Sequence, residues 1–240
     1  MKFAWCLLAM LYFSCAAVAA VPTTLPTTAP AGIDESLWDR MKAIDHAAAQ
    51  ITDLTADFEQ TKITALLKNP MKSTGQLWAR GSEMLWKTVT PEPMTMRVDS
   101  TGITLYYPKQ KTAEVYPSTG ELAGLTTSPV PRLTDLLQHF NFASASSRDF
   151  DMAPSPDTQA FLLTPTDPKI REHVDHVNVL IDAKLGVLLV MKLTDADDET
   201  TTLRFSNIKM NTSFDAKLLQ LNLPGDVKTV HPLENIGPRP

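Results

Sequence analysis

His173 and His176 are, by type, the pair in this chain best suited to hold a metal ion, and their spacing sends them apart. They fall in a stretch patterned as a β-strand, where residues three apart point to opposite faces, so they read as solvated strand-edge histidines. The run Asp195-Ala196-Asp197-Asp198-Glu199 has oxygens enough for Ca²⁺ but lacks the glycine that a tight loop site needs for its bend. It reads as a charged hairpin turn. No elbow motif places a Ser, His and Asp set, no glycine-rich loop could cradle a phosphate, and both cysteines, Cys6 and Cys15, precede the folded part. Asn211-Thr212-Ser213 has the form of a glycosylation sequon, which carries no meaning in a bacterial host. These patterns yield no catalytic residue, no metal ligand and no cofactor site, and nothing argues for an enzyme.

The chemistry that remains is apolar. From Phe58 to Pro108 the chain reads as five consecutive β-segments whose apolar residues fall on one face, and that face carries Phe58, Met84, Trp86, Met94, Met96, Leu105 and Tyr107. Methionine is unbranched and polarizable and re-packs around varied shapes, and aromatic rings offer large contact areas. A sheet loaded this way suggests a surface that holds something greasy, and the expected function is binding.

The elements that must position this face follow from periodicity. Leu37, Met41, Ile44, Ala48 and Ile51 recur at steps of four, three, four and three behind a capping box from Ser36 to Asp39, which predicts an amphipathic helix covering a core or lidding a cavity. Beyond Thr52 the period falls to two, with Leu54, Ala56 and Phe58 alternating against Thr55, Asp57 and Glu59. Turn signals recur at Asn69-Pro70, Gly81-Ser82, Pro91-Glu92-Pro93, Ser100-Thr101-Gly102 and Pro108-Lys109, which predicts an antiparallel meander. A helical interruption follows, with a single turn at Glu121-Leu122-Ala123-Gly124-Leu125 and then the apolar stripe Leu133, Leu136, Leu137 and Phe140 behind Pro129 and Pro131. Strand patterns resume at 159–164, 174–182, 187–194, 201–210 and 218–223. One large antiparallel sheet with a helical insertion halfway is the economical reading, since such a sheet can turn one face to a core or ligand and the other to water.

Composition bounds the partners. The 240 residues carry a formal net charge of −5, and the 22 Lys and Arg are dispersed rather than gathered in a stripe, which disfavours nucleic acid. Lys2, the apolar run 3–13 and the small residues of 17–20 predict a signal peptide over 1–20, hence export to the periplasm. Tyr12-Phe13-Ser14-Cys15 is a degenerate lipobox, and lipidation at Cys15 would instead tether the protein to a membrane. With both cysteines in this segment, the mature fold is held by core packing alone. A Pro- and Thr-rich spacer covers 21–33, a folded domain 34–230, and a tail 231–240.

Phe58-Glu59-Gln60, Gly75-Gln76-Leu77-Trp78, Arg80 six positions before Trp86, Pro91 five positions after it, Asp99 and Tyr107-Pro108 follow one another in an order and spacing that resemble the LolA family of periplasmic lipoprotein carriers. Asp182, the stretch 200–207, Asn211 and Leu223-Pro224-Gly225 resemble the family's closing strands, so that the likeness covers about 36–230.

The resemblance implies an incomplete, half-open antiparallel β-barrel with an N-terminal helix and a short helical lid. Its cavity would hold the acyl chains of lipoproteins, with Phe58, Met84, Trp86, Met94, Met96, Leu105 and Tyr107 on the wall and Leu133, Leu136, Leu137 and Phe140 in the lid. Arg80 would latch barrel to lid through backbone carbonyls near 133–140. Partners implied are acylated lipoproteins as cargo, an inner-membrane ABC transporter as donor and an outer-membrane acceptor, with the carrier monomeric. Each acyl chain left bare in water would cost on the order of 10 kcal/mol, at ~0.8 kcal/mol per methylene, so acylated cargo needs a carrier across an aqueous space. Two other readings stand beside this one: a carrier or sensor of another lipid on the same fold, and a membrane-anchored acceptor.

Overall fold

The computed structural model describes residues 29–30, 32–117, 130, 132–153 and 155–232. The signal segment with Cys6 and Cys15, most of the spacer, the turn expected at 121–125, Pro129 and Pro131, and nearly all of the tail lie outside the described residues.

Helix α1 spans Glu35–Ala48 and buries Leu37, Trp38, Met41, Ile44, Asp45 and Ala48. Its N-cap is Asp34, whose carboxylate accepts the Leu37 N–H at 3.2 Å. The expected capping box is thereby corrected: the helix begins one residue before Ser36, and Asp39 pairs with Lys42 at 2.9 Å on the exposed side.

The meander follows in the expected order. Strands β1 (Asp53–Ile63), β2 (Met71–Arg80), β3 (Glu83–Thr90), β4 (Met94–Asp99) and β5 (Gly102–Tyr107) turn at each Gly- or Pro-bearing signal read from the sequence. The second half supplies β8 (Thr158–Pro165), β9 (Val174–Asp182), β10 (Val187–Asp195) and β11 (Thr200–Met210). Between them lie β6 (Thr112–Pro117), the four-residue helix α2 (Leu133–Leu136) and β7 (Phe140–Ser144), and the chain also forms a one-turn helix α3 (Pro168–Arg171) and a short β12 (Lys228–Val230). Phe140 thus begins a strand rather than ending the lid helix. The stretch 218–223 is not a strand, because Asp215 accepts the Lys217 N–H at 2.9 Å and starts a 3₁₀ turn over Ala216–Leu219 that drives Leu219 inward.

All the described strands belong to one sheet, ordered β12-β6-β5-β4-β3-β2-β1-β11-β10-β9-β8-β7. Every pairing is antiparallel except that of β12 with β6. The two end strands do not meet, so the barrel stays open. One apolar cluster takes in Met96 of β4, Val177 of β9, the α1 residues Met41 and Ile44, and Leu133 and Leu136 of α2. Six strand steps separate β4 from β9, about 29 Å in a flat sheet, so the sheet curls around this core. A second, small cluster of Phe150, Ala160, Leu180 and Val190 lies on the outer side of β8–β10.

Candidate functional site

The inner face is built by register. Ala56, Leu77, Trp86, Met96 and Leu105 stand opposite one another in turn across β1 to β5. Direct cross-strand partners share a face, so these residues form one transverse apolar row. A parallel row starts at Phe58, which faces Phe205 on β11 and Gly75 on β2. Gly75 has no room for a side chain: a Cβ there would sit 2.0 Å from the Lys87 carbonyl and 2.7 Å from the Phe58 ring. The ring of Phe58 therefore crosses β2 and reaches Trp86, with centroids 4.5 Å apart, while Phe205 meets Trp86 edge-on at 5.9 Å.

Six of the seven residues read as the wall of an acyl site are buried on this face, and Tyr107 is half-buried. Trp86 is 2% exposed and Leu105 0%. The cover is α1 and α2, with Leu133 and Leu136 buried, Leu137 half-buried and Phe140 buried at the start of β7. The structure thus brings the wall and the cover together in one closed apolar interior.

What ties the cover down is Asp45. Arg132, the N-cap residue of α2, offers no side-chain acceptor, and a four-residue helix cannot hold itself together. The Asp45 carboxylate of α1 accepts the Leu133 N–H at 2.7 Å, the Thr134 N–H at 3.0 Å and the Thr134 hydroxyl at 2.6 Å. Burial pushes this carboxyl above its ordinary range and outweighs the three hydrogen bonds that favour its charge, and Asp135 nearby adds to the rise. Sequence reasoning passed over Asp45, although a charged residue at the i+4 step from Met41, between Ile44 and Ala48, stands in the apolar stripe.

Arg80 does not latch the lid. Its neighbour Ala79 packs against the core, so alternation sends Arg80 to the outer face, away from α1 and α2. There its guanidinium donates to the Phe214 carbonyl and lies over the Phe214 ring at 4.3 Å. Phe214 belongs to a strap that follows β11 and crosses the outer face. Asp53 holds the start of the strap, accepting the N–H groups of Thr212 at 2.9 Å and Ser213 at 3.0 Å. Arg97 holds its end, donating to the Leu219 carbonyl at 3.0 Å and pairing with Asp99. Asn211, read as part of a sequon, is a staple: its side chain accepts the Thr52 N–H at 2.8 Å and donates to the Gln50 carbonyl at 3.1 Å.

The two histidines do not converge. His176 meets Asp175 at 2.6 Å and Thr194 at 3.3 Å, while His173 precedes β9. The acidic run forms the β10–β11 hairpin, where Asp195 accepts the N–H groups of Asp197 at 3.0 Å and Glu199 at 2.9 Å.

At the β5–β6 end the inner face turns polar. Glu114 stands opposite Leu105, extending the transverse row, and Tyr116 stands opposite Ile103. The Tyr116 hydroxyl donates to Glu114 at 3.0 Å. The Tyr107 hydroxyl is shut off from solvent, and its one polar neighbour is the Glu114 carboxylate, met at poor hydrogen-bonding geometry. Burial first and this carboxylate second push the Tyr107 phenol up to about 12 and raise that of Tyr116 as well.

A half-open barrel with an apolar inner face under a helical cover defines a class of open-sheet folds. Within that class the chain belongs to the LolA family: the family described as "Outer membrane lipoprotein carrier protein LolA" matches residues 49–222. No curated protein matches the sequence. Among solved structures, an uncharacterized conserved protein from Thermus thermophilus aligns with TM-score 0.54 and 9% identity, over 82% of this chain and 99% of its own. MucB aligns with TM-score 0.48 and 14% identity, over 79% of this chain and 64% of its own. The LolA superfamily protein NE2245 from Nitrosomonas europaea aligns with TM-score 0.40 and 10% identity, over 77% of this chain and 97% of its own.

Proposed function

We propose that this protein is an exported carrier that binds the acyl chains of lipoproteins against the inner face of its sheet and moves them across the periplasm towards the outer membrane. One observation carries the reading. The interior is walled by Met84, Met94, Met96, Trp86 and Phe58 and roofed by α1 and the four-residue α2, which is capped from α1 by Asp45. A roof made of one helix and a single helical turn can swing away without breaking a strand ladder, and a methionine-rich wall can re-pack over chains of differing shape. Filling by cargo and filling by the roof then compete for one volume, and binding draws on the open population.

The carrier domain is the unit over 34–230, and the segment over 1–20 directs export and is then removed. Cargo comes from an ABC transporter that extracts lipoproteins from the inner membrane and leaves to an acceptor at the outer membrane. The test is to incubate the purified mature protein with inner-membrane vesicles that carry an acylated lipoprotein, the transporter and ATP. A soluble complex that forms with the acylated lipoprotein, and not with the same protein lacking its acyl chains, supports this function. Equal capture of both forms contradicts it.

A further inference from the structure

The transverse apolar row does not end in a hydrophobic residue. Leu77, Trp86, Met96 and Leu105 lead, strand by strand, to Glu114. Glu114 is half-buried there, and a carboxylate at the end of an apolar row can face a ligand's polar group. Here Tyr116 provides one hydrogen bond, at 3.0 Å. Among the described residues no lysine, arginine or histidine forms an ion pair with Glu114. Beside it the buried Tyr107 hydroxyl has no partner but this same carboxylate, and that at poor hydrogen-bonding geometry. A packed core has no need of a carboxylate flanked by two phenols at the end of its row. A site for a molecule that is apolar along its length and polar at one end does.

We propose that Glu114, Tyr107 and Tyr116 form the polar end of the acyl-binding face and select ligands that carry an ammonium group beside their acyl chains. An ionised carboxylate accepts hydrogen bonds and attracts positive charge, so it favours an ammonium and disfavours a phosphate or a free fatty carboxylate at the same place. The phenol of Tyr107 can accept an N–H from that group or donate to an ester carbonyl next to it. The inference rests on the acyl-carrier reading of the same face and adds to it the chemistry of the head. Two sources supply an ammonium near acyl esters: the free α-amine of a diacylated lipoprotein N-terminus, and an ethanolamine phospholipid.

The experiment measures binding of two synthetic diacyl lipopeptides that differ only in the N-terminus, one a free amine and one acetylated, to the mature protein and to Glu114→Gln. Glutamine keeps an acceptor for Tyr116 and removes the charge. Wild type is expected to prefer the free amine by about tenfold, the effect of one charge-assisted hydrogen bond. Glu114→Gln is expected to bring that ratio near unity while still binding the acetylated peptide. Tyr107→Phe, which removes this hydroxyl and keeps the ring, is expected to narrow the ratio while the protein still folds and binds the acetylated peptide, and it serves as the second variant if Glu114→Gln does not fold. Competition by vesicles of phosphatidylethanolamine, but not of phosphatidylglycerol, would assign the ammonium to a phospholipid, and competition by neither would assign it to the lipopeptide. Equal binding of the two peptides by wild type, or a preference that survives Glu114→Gln, overturns the proposal and leaves acyl binding standing. Failure of both peptides to bind overturns the acyl-carrier reading and this inference with it.

Discussion

The carboxylate of Asp45 receives the Leu133 N–H at 2.7 Å, so the first helix caps the lid helix across 88 residues of sequence. Asp45→Ala leaves two lid N–H groups without their acceptor and should weaken the closed roof by about 1–3 kcal/mol, the cost of stranding buried donors. Hydrogen exchange should accelerate over 133–140 while the central strands keep their protection. Unchanged exchange in the lid would show that the roof is held by apolar packing alone.

Asp45 and Asp53 carry opposite pH signatures. Burial raises the Asp45 carboxyl, so between its unfolded and folded values the folded protein binds a proton that the unfolded chain has shed. Its contribution is therefore full below the unfolded value and is lost as pH rises through the folded one. At Asp53 burial opposes the charge, but the hydrogen bonds from Thr212 and Ser213, with Arg80 adding attraction, outweigh it and lower the carboxyl. That contribution is present above the unfolded value and is lost as pH falls through the folded one. Urea titrations between about pH 3 and 7, a range spanning ordinary carboxylate titration, should show the wild-type advantage over Asp53→Asn growing with pH and that over Asp45→Asn shrinking. Parallel trends would contradict the assignment.

Much of the sheet was legible because its signals are local. The alternation of Leu54, Ala56 and Phe58 and the prolines and glycines between β1 and β5 depend on neighbours in sequence, and β9 runs over the very residues its pattern marks. What was not legible depends on partners far away. β7 lies at the sheet's end beside β8, and β12 is three residues paired in parallel with β6, so neither carries a long enough pattern of its own. The Met and Trp face was readable as a face from period two. The lid tie was not, since Asp45 finds its partners through tertiary packing, and Arg80, expected as a lid latch, meets Phe214 instead, on the face that its step from Ala79 gives it.

Arg80→Leu should loosen the strap rather than the lid. It removes the donor to the Phe214 carbonyl and the cation over the Phe214 ring, which together predict a loss of about 1–2 kcal/mol at this partly exposed site. Exchange should accelerate over 211–219 and stay unchanged over 133–140. Acceleration confined to the lid would restore a latch role.

Gly75→Ala tests the close approach that lets Phe58 reach Trp86. The added methyl cannot coexist with the Lys87 carbonyl at 2.0 Å or with the Phe58 ring at 2.7 Å, so strand β2 must shift from β3 and the ring must give way, at a cost of about 1–3 kcal/mol. A lowered melting temperature with altered tryptophan fluorescence is expected. A variant as stable as wild type would mean that the ring contact is not built on this glycine.

The central claim is that acyl chains lie on the inner face, and photolabelling reads it most directly. A diacyl lipopeptide bearing a diazirine midway along one chain is bound to the mature protein, irradiated and mapped by peptide mass spectrometry. Adducts are expected on Met84, Trp86, Met94 and Met96, displaced by unlabelled lipopeptide. Adducts confined to outer-face residues such as Trp78 and Leu85, or labelling that unlabelled lipopeptide does not displace, would contradict it.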